Sequence, residues 1–249
     1  MRRYIVGRAV CVVVSFLVFW PPFAVAEELQ GNLIGTAFAV TDQGHFVTAF
    51  HVVKAQSELY VVNMEQKKLH RAELLASDEA NDLALLKTTF AAKPLSLSQW
   101  SSVPTGLEVF VIGYPQPKLL GTSKKITTGI INGSRGSDNS RLFQTSAEVQ
   151  KGNSGGPVLA PDGSVVGVVT SKLNALTVAE KTKDLPQNVN FALKSSVLAE
   201  FLSQNSIGVK AQVLDLSVVN RPYEVFKQFG ESVVIVFSRG ALPAPEQRR

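Results

Sequence analysis

The chain has 249 residues, of which 45% are hydrophobic and 18% charged, with one cysteine and a formal charge of +5 at neutral pH. This length and apolar fraction exclude a disordered chain and suit either one large all-β unit or two small domains. A single cysteine excludes a disulfide framework, so the fold must rely on its core.

At the N-terminus, Arg2, Arg3 and Arg8 precede an apolar run over 9–19, then Pro21-Pro22 and the small-x-small sequence Ala24-Val25-Ala26. That order is read as a secretory signal over 1–26, because the run falls short of the roughly 20 residues a membrane span needs. Removing it takes away three arginines, Cys11 and no acid, leaving 22 basic against 20 acidic residues. The basic character is therefore partly local, and nucleic acid is not an implied partner. The expected location is exported, periplasmic or secreted in a bacterial envelope. Membrane contact is expected only through an uncleaved signal segment.

Short apolar segments punctuated by turns then follow: 33–40, the turn 41–44, 46–50, 58–63, 69–77 and 82–87. The second half repeats the style with 108–113, 126–132, 142–145, 157–160, 165–171 and 189–193. Amphipathic helices do not alternate with these strands. Two antiparallel β units are predicted, joined by the turn-rich 99–106. Helical periodicity comes late: Ser195-Ser196 caps a helix carrying Val197, Leu198, Phe201 and Leu202, and 222–229 forms another. An apolar strand is predicted over 232–238, and a disordered Pro-rich tail over 242–249. The extension 205–249 either pads the core or makes a partner or membrane contact.

The chemistry centres on Gly-Asn-Ser-Gly-Gly-Pro at 152–157. Glycines free the backbone to expose the Ser154 hydroxyl and neighbouring N–H groups; the competing reading is a surface turn. A serine hydroxyl needs a base, and the base needs an orienting group. Of the three histidines, His45 in a hairpin turn and His70 on a charged strand face are read as solvated. His51 ends the strand 46–50 at the rim of an apolar element, where its ring needs a partner and fits either a core histidine or a general base. Asp82 opens an apolar strand, where its charge is costly unless paired. Asp42 and Asp78 look solvated. No spacing for a metal site is found, and no cofactor is expected.

The Gly-x-Ser-x-Gly pattern at 152–156 also fits a nucleophile elbow, but that fold places its histidine after the serine and none follows Ser154. The order His51, Asp82, Ser154 on an all-β pattern matches the chymotrypsin-type arrangement instead. Gly35-Thr-Ala-Phe-Ala-Val, Phe46-Val-Thr-Ala-Phe-His-Val-Val, Asn81-Asp-Leu-Ala-Leu-Leu, Val111-Ile-Gly-Tyr-Pro, Gly129-Ile-Ile, Gln144-Thr-Ser-Ala, the 152–157 run and Phe191-Ala-Leu-Lys-Ser together resemble the trypsin-like protease domain of the bacterial high-temperature-requirement (Deg-type) family over about 33–203.

The resemblance implies an all-β fold of two antiparallel six-stranded barrels of chymotrypsin type with a C-terminal helix and a short extension. The protease domain would span 27–204, with barrels at about 27–100 and 105–195. It further implies a serine endopeptidase with His51 as base, Asp82 as its orienter and Ser154 as nucleophile, and an oxyanion hole at Gly152, Asn153 and Ser154. Substrate would pair as a strand along Val189, Asn190, Phe191 and Ala192. Its substrate would be unfolded or extended polypeptide, and a homo-oligomer is admitted. The alternative is a catalytically silent binding or chaperone-like module on the same fold.

Several positions depart from the family pattern. Phe50 stands before His51 where smaller or polar residues are usual, and Lys151 replaces a typical proline. Glu148, six residues before the nucleophile, could favour a basic P1 side chain. Only 46 residues follow Ser203, so a peptide-binding PDZ domain is not expected.

Overall fold

In a computed structural model of the chain, residues 32–64, 66, 68–136, 139–170 and 188–241 are described, with the side chain of Ala241 excepted. The predicted signal segment 1–26 and tail 242–249 lie outside them. Alternating and continuous apolar runs become strands, as expected: β1 (Asn32–Ala39), β2 (His45–Ala49), β3 (Gln56–Asn63), β4 (Lys68–Asp78) and β5 (Leu83–Thr88) in the first half. The second half contributes β6 (Leu97–Ser98), β7 (Glu108–Gly113), β8 (Lys125–Gly133), β9 (Leu142–Thr145), β10 (Pro157–Leu159), β11 (Val165–Val169) and β12 (Asn190–Lys194). Short helices α1 (Phe50–Val53) and α2 (Pro117–Leu120) interrupt the strands.

After β12 come helix α3 (Ser195–Gln204), β13 (Ala211–Gln212), helix α4 (Pro222–Phe229) and β14 (Val233–Ala241). The N-cap of α3 falls on Lys194, and no side chain caps the helix; Ser195 is instead its first helical residue. Helix α4 starts on Pro222, with Arg221 N–H donating to Glu224 Oε2 at 2.7 Å.

The strands close into two six-stranded antiparallel barrels. The second is contiguous in sequence and runs β7-β8-β9-β12-β11-β10, closed by β10 against β7 and β11. The two-residue strands β6 and β13 extend it as parallel additions. Its core gathers Val109, Val111, Ile131, Phe143, Val158 and Val166.

The first barrel runs β1-β14-β3-β4-β5-β2. It is therefore not confined to about 27–100: five of its strands come from that stretch, and the sixth is the last described strand. Asn32 pairs with Ser238 and Thr36 with Ile235 on one side of the slot; Ile235 pairs with Val62 and Phe237 with Tyr60 on the other. Val233, Val234, Ile235, Val236 and Phe237 are all buried. A strand covered on both faces shows no polar alternation, which is why 233–237 reads as uniformly apolar. At about 1.5–3 kcal/mol per fully buried side chain, these five residues contribute on the order of a whole domain's net stability.

The segment between α3 and β14 is packed along the second barrel. Leu214 joins that barrel's core, Gln99 N–H donates to Gln212 C=O at 2.7 Å, and Asn220 Nδ2 donates to Pro161 C=O at 2.9 Å. Gly163 has φ +81°, and a Cβ there would overlap the Phe229 ring at the end of α4. The extension 205–241 is thus part of both barrels.

Candidate active site

His51 does not end a strand: β2 stops at Ala49, and His51 lies in the short helix α1. Asp82 follows the same logic of a polar residue placed beside an element. It sits just ahead of β5 with φ +56°, a left-handed conformation uncommon outside glycine and of the kind that persists where surrounding contacts hold it. Three bonds do so. His51 backbone N–H donates to Asp82 Oδ1 at 2.8 Å, His51 Nδ1 lies 2.7 Å from Asp82 Oδ2, and Phe50 N–H donates to Asp82 C=O at 3.1 Å. Because an ionised carboxylate only accepts, Nδ1 carries the proton and Nε2 presents its lone pair. One carboxylate oxygen therefore positions the histidine backbone while the other orients the ring.

The loop before Asp82 is braced from the second barrel. Asn81 accepts from Arg141 at 3.0 Å, and its own amide groups bond Asp78 at 3.0 and 2.6 Å. Asp78 is therefore engaged in capping this turn. Phe50 packs against the first barrel's core, and Lys54 lies 5.5 Å over its ring.

Ser154 follows β9 on a loop whose glycines are required by backbone geometry. Gly152 has φ +103° and Gly155 has φ +82°. Asn153 N–H donates to Gln150 C=O at 3.0 Å, closing a four-residue turn with Gly152 at its third position, as in a type II turn. Lys151 occupies the second position of that turn, where proline is favoured and other residues with negative φ also fit. A Cβ on Gly155 would overlap Thr48 Oγ1 and Thr36 C=O and lie 2.6 Å from Ala49 N. The serine loop is thus pressed against the end of β2 that leads into His51. No hydrogen bond links the Ser154 hydroxyl to His51; in ligand-free sites such bonds are often longer than in complexes.

The carbonyls around Gly152 N–H and Ser154 N–H are each occupied. Lys151 C=O accepts from Gln116 N–H at 2.7 Å, Gly152 C=O from Thr36 Oγ1 at 2.7 Å, Asn153 C=O from Gly156 N–H at 2.8 Å and Ser154 C=O from Thr36 N–H at 2.9 Å. In a trans peptide the N–H points opposite its carbonyl, so pinning the carbonyls sets the direction of the two N–H groups. Neither N–H donates to another described residue. Thr36 and Gln116 were not legible as site residues, since their roles arise from contacts with a loop more than thirty residues away in sequence.

Glu148 is exposed, accepts from Gln150 Nε2 at 3.0 Å, and forms no salt bridge among the described residues. On β12, Ala192 pairs with both β9 and β11, whereas among the described residues Asn190 and Phe191 pair with β9 alone. Val189 precedes the strand. Asn190 Nδ2 donates to Ala147 C=O at 2.9 Å.

Of the other two histidines, both read as solvated from the sequence, His45 is buried and His70 half-buried. His45 is buried with Nδ1 2.7 Å from Thr41 Oγ1, and His70 stacks on Phe90 at 4.7 Å with its Nε2 buried and unpartnered. Burial pushes the pKa of both down, assisted by Lys87 at His45 and by Lys68 at His70. Among the described residues there is no cluster suited to hold a metal, and no helix is long and apolar enough to cross a membrane.

Comparison with known proteins converges on this geometry. The model of the trypsin-like peptidase domain matches residues 35–168. A protein of Sinorhizobium fredii is 40% identical over 77% of this chain and 31% of its own length. A probable periplasmic serine endoprotease, DegP-like, of Hahella chejuensis is 30% identical over 91% of this chain and 46% of its own. The solved structure of the HtrA-type protease AlgW with a decapeptide superposes with TM-score 0.59 at 25% identity, covering 72% of this chain and 53% of that one. The chain thus spans less than half the length of these two curated relatives. Two closed six-stranded barrels, a matched domain model covering more than half the chain and an HtrA-type structural neighbour together place this protein in the trypsin-like peptidase family, with the chymotrypsin-type fold.

Proposed function

We propose that the protein is an exported serine endopeptidase that cleaves unfolded or extended polypeptide through an acyl-enzyme. The observation that carries this reading is the two-point hold of Asp82 on His51 beside the serine loop. His51 Nε2 takes the proton from Ser154 Oγ as the oxygen attacks the peptide carbonyl. The resulting oxyanion is received by Gly152 N–H and Ser154 N–H, and Asn153 sets the spacing between them. The imidazolium, held by Asp82, then passes its proton to the leaving amine, leaving an ester on Ser154. Water, deprotonated by His51, attacks that ester, and the imidazolium returns the proton to Ser154 Oγ as the ester bond breaks and the acid is released. No cofactor enters these steps.

Substrate pairing as a strand is assigned to Val189, Asn190 and Phe191, where the β11 side of β12 carries no partner strand among the described residues, with Ala192 closing that edge. Glu148, exposed and free of a salt bridge among the described residues, supports a preference for basic P1 side chains. Export rests on the N-terminal pattern at 1–26 and on the periplasmic naming of the DegP-like relative.

The test is covalent. A fluorophosphonate probe should label the wild-type protein at Ser154 and fail on Ser154→Ala. Cleavage-site profiling on a denatured proteome should show Lys or Arg enriched at P1, with the enrichment reduced in Glu148→Gln. Labelling that persists in Ser154→Ala, or no labelling of a folded wild-type protein, rejects the reading.

A further inference from the structure

We infer that Thr36 is a positioning residue for the oxyanion hole, an inference that rests on the proposed serine-peptidase reading. Thr36 lies on β1 in the first barrel and is fully buried. All of its polar groups are engaged. Its N–H donates to Ser154 C=O at 2.9 Å, and its hydroxyl donates to Gly152 C=O at 2.7 Å and accepts from Tyr114 N–H at 3.2 Å. Its own carbonyl accepts from Thr48 Oγ1 at 2.7 Å. One residue of the first barrel therefore grips the carbonyls of both residues whose N–H groups would receive the oxyanion.

The side chain and backbone of Thr36 perform separable tasks. The backbone bond to Ser154 survives any substitution that keeps the strand, whereas the bond to Gly152 depends on the hydroxyl alone. Gly152 is buried, so its carbonyl has no solvent to turn to when that hydroxyl is removed. Glycine offers little torsional resistance, and rotation about its ψ angle would swing the Gly152–Asn153 peptide towards another partner. The Lys151–Gly152 peptide stays fixed by Gln116, so the separation and angle between Gly152 N–H and Ser154 N–H change. That alters stabilisation of the transition state more than binding of the ground state.

Thr36 also ties this geometry to β14, the last described strand. It pairs in register with Ile235 of β14, and Tyr114, which donates to its hydroxyl, has its own phenol 3.4 Å from Val233 C=O.

The experiment compares wild type, Ser154→Ala, Thr36→Val, Thr36→Ala and Thr36→Ser. The readouts are turnover of fluorescein-labelled unfolded casein and the kinact and KI of fluorophosphonate. Thr36→Val and Thr36→Ala should each lose about 10- to 100-fold in kcat and kinact, with KM and KI within about threefold of wild type. Thr36→Ser, which keeps the hydroxyl, should recover to within about threefold. Ser98→Ala, which removes a buried hydroxyl paired with Ser164 away from the site, should lower Tm without changing kcat. A Thr36→Val or Thr36→Ala protein with wild-type kcat, a loss carried by KM, or a Thr36→Ser protein as impaired as Thr36→Ala overturns the inference. With Ser154→Ala inactive, those results leave the serine-peptidase reading standing; a fully active Ser154→Ala removes both.

Discussion

The two barrels share one topology but not one chain order. Counting the second barrel's strands along the sequence, from β7 as first to β12 as sixth, its ring order is 1-2-3-6-5-4. The first barrel has the same ring order only when β14 is counted as its first strand, followed by β1, β2, β3, β4 and β5. It is the second barrel's topology circularly permuted. On this count His51 lies between strands three and four of the first barrel, and Ser154 lies between strands three and four of the second. The candidate base and the candidate nucleophile thus occupy equivalent connections of two like units. The position of a site in such a fold follows from strand order in space, and the chain can supply one of those strands from its far end.

The sharpest way to break this comparison is to remove the permuted strand. A chain ending at Ser232 loses five buried apolar side chains and leaves β1 and β3 with unpaired edges, so the first barrel should not fold. Loss of the cooperative thermal transition and of fluorophosphonate labelling would show it. The complementary rearrangement should rescue the protein. The register of Asn32 against Ser238 brings the end of β14 beside the start of β1, so residues 221–241 moved ahead of Asn32 through a short hairpin should restore folding and labelling. Failure of that chain to fold would refute the equivalence.

A smaller effect is expected where the strap that carries β14 crosses the second barrel. Gly163→Ala places a methyl group into the Phe229 ring and a side chain at positive φ, costing about 1–3 kcal/mol of stability, readable as a lower denaturation midpoint.

The smallest effect distinguishes the barrels by their histidines, all three of which lie in the first. His45 and His70 are held below the usual histidine pKa, so below about pH 6.5 the unfolded chain binds more protons than the folded one. Stability should therefore fall as pH drops through and below that value, and a His45→Gln/His70→Gln protein should show a flatter Tm profile between pH 7 and 5.

Much of the site was legible because its logic is chemical and nearly local. Ser154 among glycines, His51 after an apolar strand and Asp82 before another are recognisable from residue type and order. Other features depended on distant neighbours. His45 and His70 sit in segments that look polar, yet Thr41 and Phe90 cover them. His51 follows a strand pattern, yet the chain turns into α1 where Asp82 accepts its backbone N–H. Thr36 lies in a stretch that marks the family but not a site role, Gln116 lies in none, and only the approach of the serine loop gives their donors a purpose.

The sequence by itself determined which segments become strands, because periodicity and turn chemistry act over a few residues. It also determined the family, through motifs that keep their order along the chain. Tertiary structure alone decided which barrel each strand completes. An apolar strand at 232–238 can pair with any exposed edge of matching register, and the open slot between β1 and β3 is the place where both of its edges are paired and its side chains are buried.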